Sequence, residues 1–314
     1  MSQSKVNEFI ERGKYKQGRR DIQGAYEEYS NLIKYDSKQV EGYSLRGYLN
    51  LWYFCEFEDA KNDFKKALEI EPKHARACYG YGSVLCKFGE IKEGVKYFVK
   101  SAEINPSGPI YNEIGDNKLF LKENQEALEA FINSAEIELK DKYCFYENAI
   151  ESFDKAVRLL FQKKEFKNAM KYLNKIIEIR KIAEREDYEP NDYNEEECKE
   201  FYNPCLEIKL IAFCLYITGD FEGCINKLNE CIEKSSNSET EILLFESYIL
   251  RGQALIKCNK REEAYSDWDE VSFVEFFGNQ ISILEHYKEY IFNNYSVKIE
   301  FKECRDYFLK NNFE

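Results

Sequence analysis

The sequence has few residues that interrupt helices and few that support common catalytic chemistry. Among 314 residues there are 5 prolines, 15 glycines and 2 histidines. Because proline ends helices and glycine weakens their interiors, this scarcity favours long regular helices. A Ser-His-Asp or Cys-His site would depend on His74 or His286, and neither is expected to act as a catalytic base. The phosphate-binding sequence Gly-Lys-Ser/Thr does not occur. We therefore predict no catalytic residues and a protein that is not an enzyme.

The sequence also lacks cysteines spaced closely enough to bind a metal ion. The chain has 11 cysteines but no Cys-x-x-Cys pair, and the closest pairs, Cys198/Cys205 and Cys224/Cys231, are seven residues apart. Structural zinc needs tighter spacing. Many cysteines without an export signal indicate a reducing compartment, where they serve as small apolar core residues. We expect no metal and no cofactor.

Long apolar runs and clusters of positive charge are absent as well. No run approaches the roughly 18–20 apolar residues that a membrane span needs, and the first residues lack the apolar segment of a signal peptide. The net charge is −13, and no basic stripe stands out that would neutralise phosphates. We expect a cytoplasmic protein, with a nuclear location left open, no nucleic-acid partner and no membrane span.

Negative charge is concentrated in one stretch. Residues 184–200 contain nine acids and two bases, a net charge of −7. Pro190 lies within it and should stop a preceding helix. We predict that residues 184–204 form an acidic linker or hinge. It is either a solvated insertion or a docking segment for a basic partner.

The sequence does contain a repeated pair of positions. A small residue is followed four positions later by an aromatic or aliphatic residue, which places both on one helix face. The pairs are Ala25/Tyr29, Ala60/Phe64, Gly94/Phe98, Ala127/Phe131, Ala169/Leu173, Cys224/Leu228 and Ala264/Trp268. The first three intervals between the small residues are 35, 34 and 33 positions. A nearly fixed period of this length indicates a stacked array of helical hairpins.

Another small residue lies about twelve positions before most of these pairs. These residues are Gly13, Gly47, Gly82, Gly115, Ala212 and Gly252, while Val157 takes the place in the fifth unit. Because helices approach closely only where side chains are small, these positions predict the contact between the first and second helix of each hairpin. Gly89 and Gly219 suit the left-handed position that ends a helix, and they mark turns between the two helices.

This pattern resembles the tetratricopeptide repeat family. The family consensus is Trp-x-x-Leu-Gly-x-x-Tyr, then Ala-x-x-x-Phe, then Ala and Pro, over 34 residues. The best match is CYGYGSVLCKFGEIKEGVKYFVKSAEINP, residues 78–106, and KKALEIEP, residues 65–72, matches the end of the consensus. The resemblance implies an all-α fold. It would be an α-solenoid, a right-handed superhelix of about seven helix-turn-helix repeats with C-terminal capping helices.

The repeat becomes less regular along the chain, which predicts its organisation. Four regular repeats take residues 1–141, a degenerate fifth takes 142–183, the acidic linker 184–204, two degenerate repeats 205–278, and capping helices 279–314. A stack of hairpins leaves an apolar face at its end, and the two final amphipathic segments are expected to cover it. An eighth degenerate repeat describes these segments equally well.

The resemblance also implies a function in protein interaction. The chain would be a scaffold or adaptor that holds a peptide segment or a partner helix in a concave groove lined by the first helices. Family geometry places groove residues opposite the packing glycine. The candidates are Tyr48, Trp52, Arg76, Tyr79, Lys87, Phe120 and Arg158, followed by Phe213, Tyr216 and Gln253. The alternative for Tyr48, Trp52 and Tyr79 is that they pack as core between neighbouring helices.

Two other functions stay open. An architectural subunit of a larger complex would pack through its ends or convex face, and a groove filled by the chain's own segments would favour that. A co-chaperone of this family grips C-terminal carboxylates with Lys, Asn, Asn, Lys and Arg. Those positions here read Ile10, Lys14, Leu45, Arg76 and Gly80. Because a carboxylate needs several converging donors, we expect weak or no binding of such tails.

Overall fold

The computed structural model describes residues 2–140, 145–186, 203–235, 241–271, 280–295, 297 and 300–310. All regular secondary structure in these ranges is helical. The chain divides into two compact units, Met1–Asp141 and Lys142–Glu314. Most of the predicted acidic linker, residues 187–202, lies outside the described ranges. Its role as a hinge or as a docking segment therefore stays a prediction.

The first unit contains four helical hairpins. Their helices are α1 (Gln3–Gly18), α2 (Ile22–Tyr35), α3 (Val40–Leu49), α4 (Phe57–Ile70), α5 (Ala75–Lys87), α6 (Ile91–Ile104), α7 (Gly108–Phe120) and α8 (Asn124–Glu138). A π-helical segment, Asn50–Phe54, continues α3. Each helix packs against the next along the chain, and the first helices α3 and α5 also touch.

The second unit contains three more hairpins and two final helices. The hairpin helices are α9 (Tyr146–Gln162), α10 (Phe166–Arg185), α11 (Cys205–Thr218), α12 (Phe221–Ser235), α13 (Glu241–Lys257) and α14 (Arg261–Glu270). They are followed by α15 (Gln280–Tyr295) and α16 (Lys302–Lys310). The seven hairpins in the described ranges confirm the predicted all-α solenoid. No helix in these ranges is long and apolar enough to cross a membrane.

Small residues set the distance between the two helices of each hairpin, as predicted. All seven small residues of the second helices are buried, and the side chain four positions later is at most 1% exposed. A Cβ atom added at Gly115 would overlap the Phe131 ring, and the glycines of the first and seventh hairpins meet their own ring in the same way. Close packing of a large ring therefore requires glycine at these contacts.

The seven described turns between first and second helices share one backbone conformation. Each contains one residue with φ between 57° and 88°: Arg20, Cys55, Gly89, Lys122, Lys164, Gly219 and Asn259. In six of the turns the next residue donates its N–H to the carbonyl five positions earlier, as Glu90 does to Leu85 at 2.9 Å. This bond satisfies a carbonyl that the end of the first helix would leave unpaired.

The second hairpin has one extra residue before its turn. Thirteen positions separate Gly47 from Ala60, against twelve in each of the other six hairpins. The π-helical segment absorbs this residue, because Glu56 donates its N–H to Asn50, six positions earlier, at 2.8 Å. The buried Asn50 side chain donates to Asp63 Oδ2 at 3.2 Å and so ties the widened turn to α4.

An arginine beside the packing glycine forms a second link within some hairpins. Arg46 donates two hydrogen bonds to the Asp63 carboxylate, at 2.9 and 2.7 Å. Equivalent pairs join the helices of the first and seventh hairpins, Arg12–Glu28 and Arg251–Asp267. The acidic partners are buried, and the two hydrogen bonds that each arginine donates offset part of the cost of removing their charge from water.

Helix α15 lies across the first helices of the second unit. It contacts α9 and α13, and Lys209 Nζ of α11 lies 5.5 Å from the centre of the Tyr287 ring. Its apolar face consists of Leu284, Tyr287 and Ile291, each at most 2% exposed. Helix α16 contacts α13, α14 and α15. The amphipathic pattern identified the buried face correctly, but such a pattern does not specify which surface covers it.

Candidate partner-binding groove

Four first helices, α1, α3, α5 and α7, form one face of the first unit, which we name the first-unit groove. Two of them are joined by an ion pair, because Arg76 Nη1 of α5 donates to Glu41 Oε2 of α3 at 2.7 Å. Two open depressions border this pair. The smaller one, about 340 Å³, is lined by Asn7, Ile10, Glu11, Lys14, Glu41 and Arg76.

The larger depression has a volume of about 570 Å³ and extends from the ion pair to the first turn of α7. Tyr79, Ile104 and Ile110 supply apolar wall, while His74 and Ser107 supply polar groups. Most of the other lining residues are charged or polar, so the depression offers both apolar contacts and polar groups that orient a partner side chain.

A histidine holds the central ion pair in place. His74 Nδ1 accepts a hydrogen bond from the Ala77 N–H at 3.2 Å and caps α5, while His74 Nε2 lies 3.3 Å from Glu41 Oε1. The hydrogen bond with His74 and the nearby charge of Arg76 lower the pKa of Glu41. Glu41 is therefore ionised at neutral pH, and His74 has a structural task at this position.

The lysine and the arginine at positions that correspond to the carboxylate clamp already have acidic partners. Arg76 pairs with Glu41 at 2.7 Å, and Lys14 pairs with Glu11 at 3.1 Å. Leu45 is buried and offers no polar group. A carboxylate clamp needs several converging cations. These pairs add to the sequence argument against capture of C-terminal carboxylates.

Three aromatic side chains meet at the end of α3. The ring centre of Tyr48 lies 6.4 Å from those of Trp52 and Tyr53. Trp52 is 42% exposed and Tyr53 is 49% exposed, while Tyr48 is half-buried against the core. The π-helical segment carries both exposed rings. Sequence reasoning missed this segment, although the thirteen-position spacing from Gly47 to Ala60 was a readable signal for it.

The remaining candidates of the first unit differ in exposure. Tyr79 is half-buried, with its ring centre 5.5 Å from that of Phe98, and burial raises its pKa to about 12. It also lines the larger depression beside Arg76, so it both packs and faces the groove. Lys87 is exposed at the end of α5, and Phe120 is 74% exposed at the end of α7.

The last candidate, Arg158, belongs to the second unit. Its Nε donates to Asp154 Oδ2, one turn earlier in α9, at 2.7 Å. The guanidinium is therefore held by its own helix. The structure places Tyr48 beside Trp52 and Arg76 beside Tyr79, whereas Arg158 is not part of the first-unit groove.

First helices α9, α11 and α13 form the equivalent face of the second unit, which we name the second-unit inner face. The sequence placed Phe213 and Gln253 in an open groove here, and that prediction is wrong. Phe213 is 1% exposed and stacks on Phe161 with ring centres 6.2 Å apart. With its amide oriented to satisfy both partners, the buried Gln253 donates to Glu303 at 3.1 Å and accepts from the Cys304 N–H at 2.9 Å, both in α16. Tyr216, the third candidate here, is half-buried against Phe221.

Cysteines in the described ranges are free thiols, and six of the nine are buried. Burial raises the pKa of both Cys214 and Cys224 to about 12. This confirms that most cysteines act as apolar packing residues. In the same ranges no group of three or more His, Cys, Asp or Glu side chains is arranged to hold a metal ion.

Comparison with known proteins gives a family-model match, one relative by sequence and several similar solved structures. The tetratricopeptide repeat model matches residues 157–182, from the end of α9 into α10. Anaphase-promoting complex subunit 3 of Schizosaccharomyces pombe is 29% identical over 115 residues. That match covers 35% of this chain and only 17% of the length of the relative.

One solved structure shares the fold at low sequence identity, and a second is reported beside it. A structure of Naa15/Naa10 bound to HypK-THB matches with a TM-score of 0.56 and 13% identity, covering 98% of this chain and 42% of that one. YrrB, described as a TPR protein with an unusual peptide-binding site, matches with a TM-score of 0.46 and 16% identity over 70% of this chain and 96% of that one. The seven hairpins in the described ranges, their packing glycines and the family match over residues 157–182 together support a tetratricopeptide repeat protein.

Proposed function

We propose that this protein is a non-catalytic scaffold that holds a segment of a partner protein in the first-unit groove. The observation that carries the proposal is the exposed pair of rings at Trp52 and Tyr53, next to Tyr48 and on the same hairpin as Glu41 of the Arg76–Glu41 ion pair. Tryptophan and tyrosine are enriched among the few residues that carry most of the binding energy of a protein interface.

The chemistry of the first-unit groove favours a partner segment with apolar or aromatic anchors. The two ion pairs that border the smaller depression satisfy their charges within the groove. A charged partner side chain would have to break one of them and would recover little energy. An apolar side chain gains by leaving water, at roughly 25 cal/mol per Å² of buried apolar surface. We therefore expect one large apolar anchor in the larger depression and a second against Trp52.

Photo-crosslinking in the native cell tests this proposal. A photoreactive amino acid replaces Trp52 in one variant and Val99 in a second, because Val99 is 38% exposed on the second helix α6 and serves as the control. We expect a protein adduct from position 52 and none from position 99. Equal adducts from both positions, or none from position 52, would contradict binding in the groove.

Substitutions give a second measurement. Removing both rings with Tyr48→Ala and Trp52→Ala should weaken partner capture by at least about tenfold, which corresponds to about 1.4 kcal/mol of lost contact. Val99→Ala is the matched control, and it should leave capture unchanged. Circular dichroism checks that the double variant keeps its helices.

An architectural subunit of a larger complex is the second candidate. The observation that favours it is the second-unit inner face, which is covered by α15 and α16. A repeat array that fills its own groove has to work through other surfaces. The fission-yeast relative is itself named as a complex subunit, which supports this candidate. Adducts from position 99 without adducts from position 52 would favour it over the groove.

A further inference from the structure

The second-unit inner face carries charged residues where helix packing does not need them. Lys209 of α11 pairs with Glu246 of α13, and the two side chains are 2% and 4% exposed. Such residues are rarely buried, because removing a charge from water is costly. They are typical of a surface that faces water or a ligand.

Helix α15 is the element that covers the ion pair. The ring centres of Tyr287 and Tyr290 lie 5.5 and 5.4 Å from Lys209 Nζ, within the range of cation–π attraction. The electron-rich faces of the two rings thus complement the charge of the lysine. Leu284 and Ile291, one turn on either side of Tyr287, are 1% and 2% exposed. One apolar stripe at helical spacing is how a single helix occupies a groove.

The outer side of α15 remains in contact with solvent. His286, Glu289, Phe292 and Asn293 are exposed, whereas the first helices beneath α15 are buried on this face. Docking of α15 also buries the Lys209–Glu246 pair, and the cost of desolvating two charges opposes that docking. Helix α15 is therefore held by one apolar stripe. The Lys209–Glu246 pair beneath it would be well solvated if α15 were absent.

From these observations we propose that the second-unit inner face is a helix-binding groove and that α15 is its intramolecular occupant. An external helix with a Leu–Tyr–Ile stripe, spaced as at Leu284, Tyr287 and Ile291, competes with α15 for this groove. The tyrosine lies over Lys209 and gives the groove its preference for an aromatic anchor. This proposal is independent of the first-unit groove and does not need a partner there.

A labelled peptide with the sequence of α15, residues 280–295, tests the competition on the full chain. Leu284→Ala with Ile291→Ala weakens the docked α15, and fluorescence anisotropy then measures peptide binding. We expect the double variant to bind at least about tenfold more tightly than the unchanged chain, because its own helix no longer competes. Asn293→Ala changes an exposed position of the same helix, and this control should behave like the unchanged chain.

A substitution in the peptide shows whether the groove recognises the tyrosine. The same peptide with Tyr287→Ala should lose at least about tenfold in affinity for the double variant. Equal binding of both peptides would overturn the proposal. So would a double variant that loses helical circular dichroism well beyond the share of α15, because α15 would then be an integral part of the core.

Hydrogen exchange on the unchanged chain provides evidence without any substitution. An occupant that leaves its groove opens separately from the rest of the unit. We therefore expect the amides of α15 to exchange at least about tenfold faster than those of α13 beneath it. Exchange of both helices at one common rate would overturn the proposal.

Discussion

The two units are built from the same hairpin, yet their inner faces differ in exposure. In the first unit the Arg76–Glu41 ion pair is open, with side chains 44% and 37% exposed. In the second unit the Lys209–Glu246 pair also joins first helices of neighbouring hairpins, but it is almost fully buried. The difference is that α15 covers the second face. One repeat can thus give an open groove or a closed one, depending on whether the chain itself supplies a helix.

Burial changes what such an ion pair does for stability. An exposed pair contributes little, because water and salt screen it and two long side chains must be ordered. A buried pair has lost its hydration, so removing one partner leaves an uncompensated charge. The two pairs therefore make a matched comparison of an exposed and a buried ion pair.

The largest effect is expected from breaking the buried pair. Lys209→Ala should lower the free energy of unfolding by about 3–5 kcal/mol, because Glu246 is left buried without its cation. Arg76→Ala in the first unit should cost no more than about 1 kcal/mol. Urea denaturation followed by circular dichroism measures both. Similar losses in the two variants would show that the faces do not differ in burial as described.

The contact between the helices of one hairpin should be equally sensitive in both units. Gly115→Ala in the first unit and Gly252→Ala in the second each force a Cβ atom into a large ring, Phe131 or Trp268. Overpacking of this kind costs about 1–3 kcal/mol. Gly18→Ala is the control, since a Cβ atom there meets nothing within 4 Å. Losses confined to one unit would mean that the hairpins are not equivalent.

A smaller effect concerns pH and the open pair. The pKa of Glu41 is lowered in the folded state, so its contribution is present above the unfolded pKa of about 4.5 and is lost as the pH falls through the lower folded value. Glu41→Gln should therefore destabilise the chain by less than about 1 kcal/mol at pH 7, because the site is partly screened by water.

Thermal unfolding across the acidic range checks this prediction. The difference between the unchanged chain and the Glu41→Gln variant should shrink below about pH 4 and vanish once Glu41 is protonated. A difference that stays constant down to pH 3 would show that the charge of Glu41 is not what stabilises the contact with His74 and Arg76.

The smallest effect is expected at the turns. Lys122 and Lys164 occupy the same turn position in the two units, with φ of 62° and 60°. A left-handed conformation is costly for a residue with a Cβ atom, whereas glycine adopts it freely but loses more entropy on folding. Lys122→Gly and Lys164→Gly should each stabilise the chain by about 0.5 kcal/mol, measured by urea denaturation. A gain in stability at one turn and a loss at the other would show that the turns of the two units are not equivalent.

Much of the fold could be predicted from the sequence, because the signals are local. The spacing of Gly115, Ala127 and Phe131 specifies two helices, their contact and the turn between them. The turn conformation itself was predicted only at Gly89 and Gly219. Lysine, arginine, cysteine and asparagine adopt it elsewhere, since the bonds of the turn compensate for the strain.

The parts that could not be predicted depend on long-range contacts. The periodicity of Leu284, Tyr287 and Ile291 indicates one buried face, but an end cap and a groove occupant need the same face. The pairing of Arg76 with Glu41 joins residues 35 positions apart and leaves no periodic signal. The exposure of Trp52 follows from a single inserted residue, and its one local signal is the thirteen-position spacing from Gly47 to Ala60.

Hydroxyl-radical footprinting of the purified full chain, with and without its captured partner, tests the central comparison most directly. We predict that Tyr48 and Trp52 react in the free chain and become protected when the partner binds. Tyr287 should stay protected in both states, because α15 covers the second-unit inner face. Unchanged reactivity of Trp52 on binding, together with new reactivity of Tyr287, would contradict the account and place this partner in the second unit.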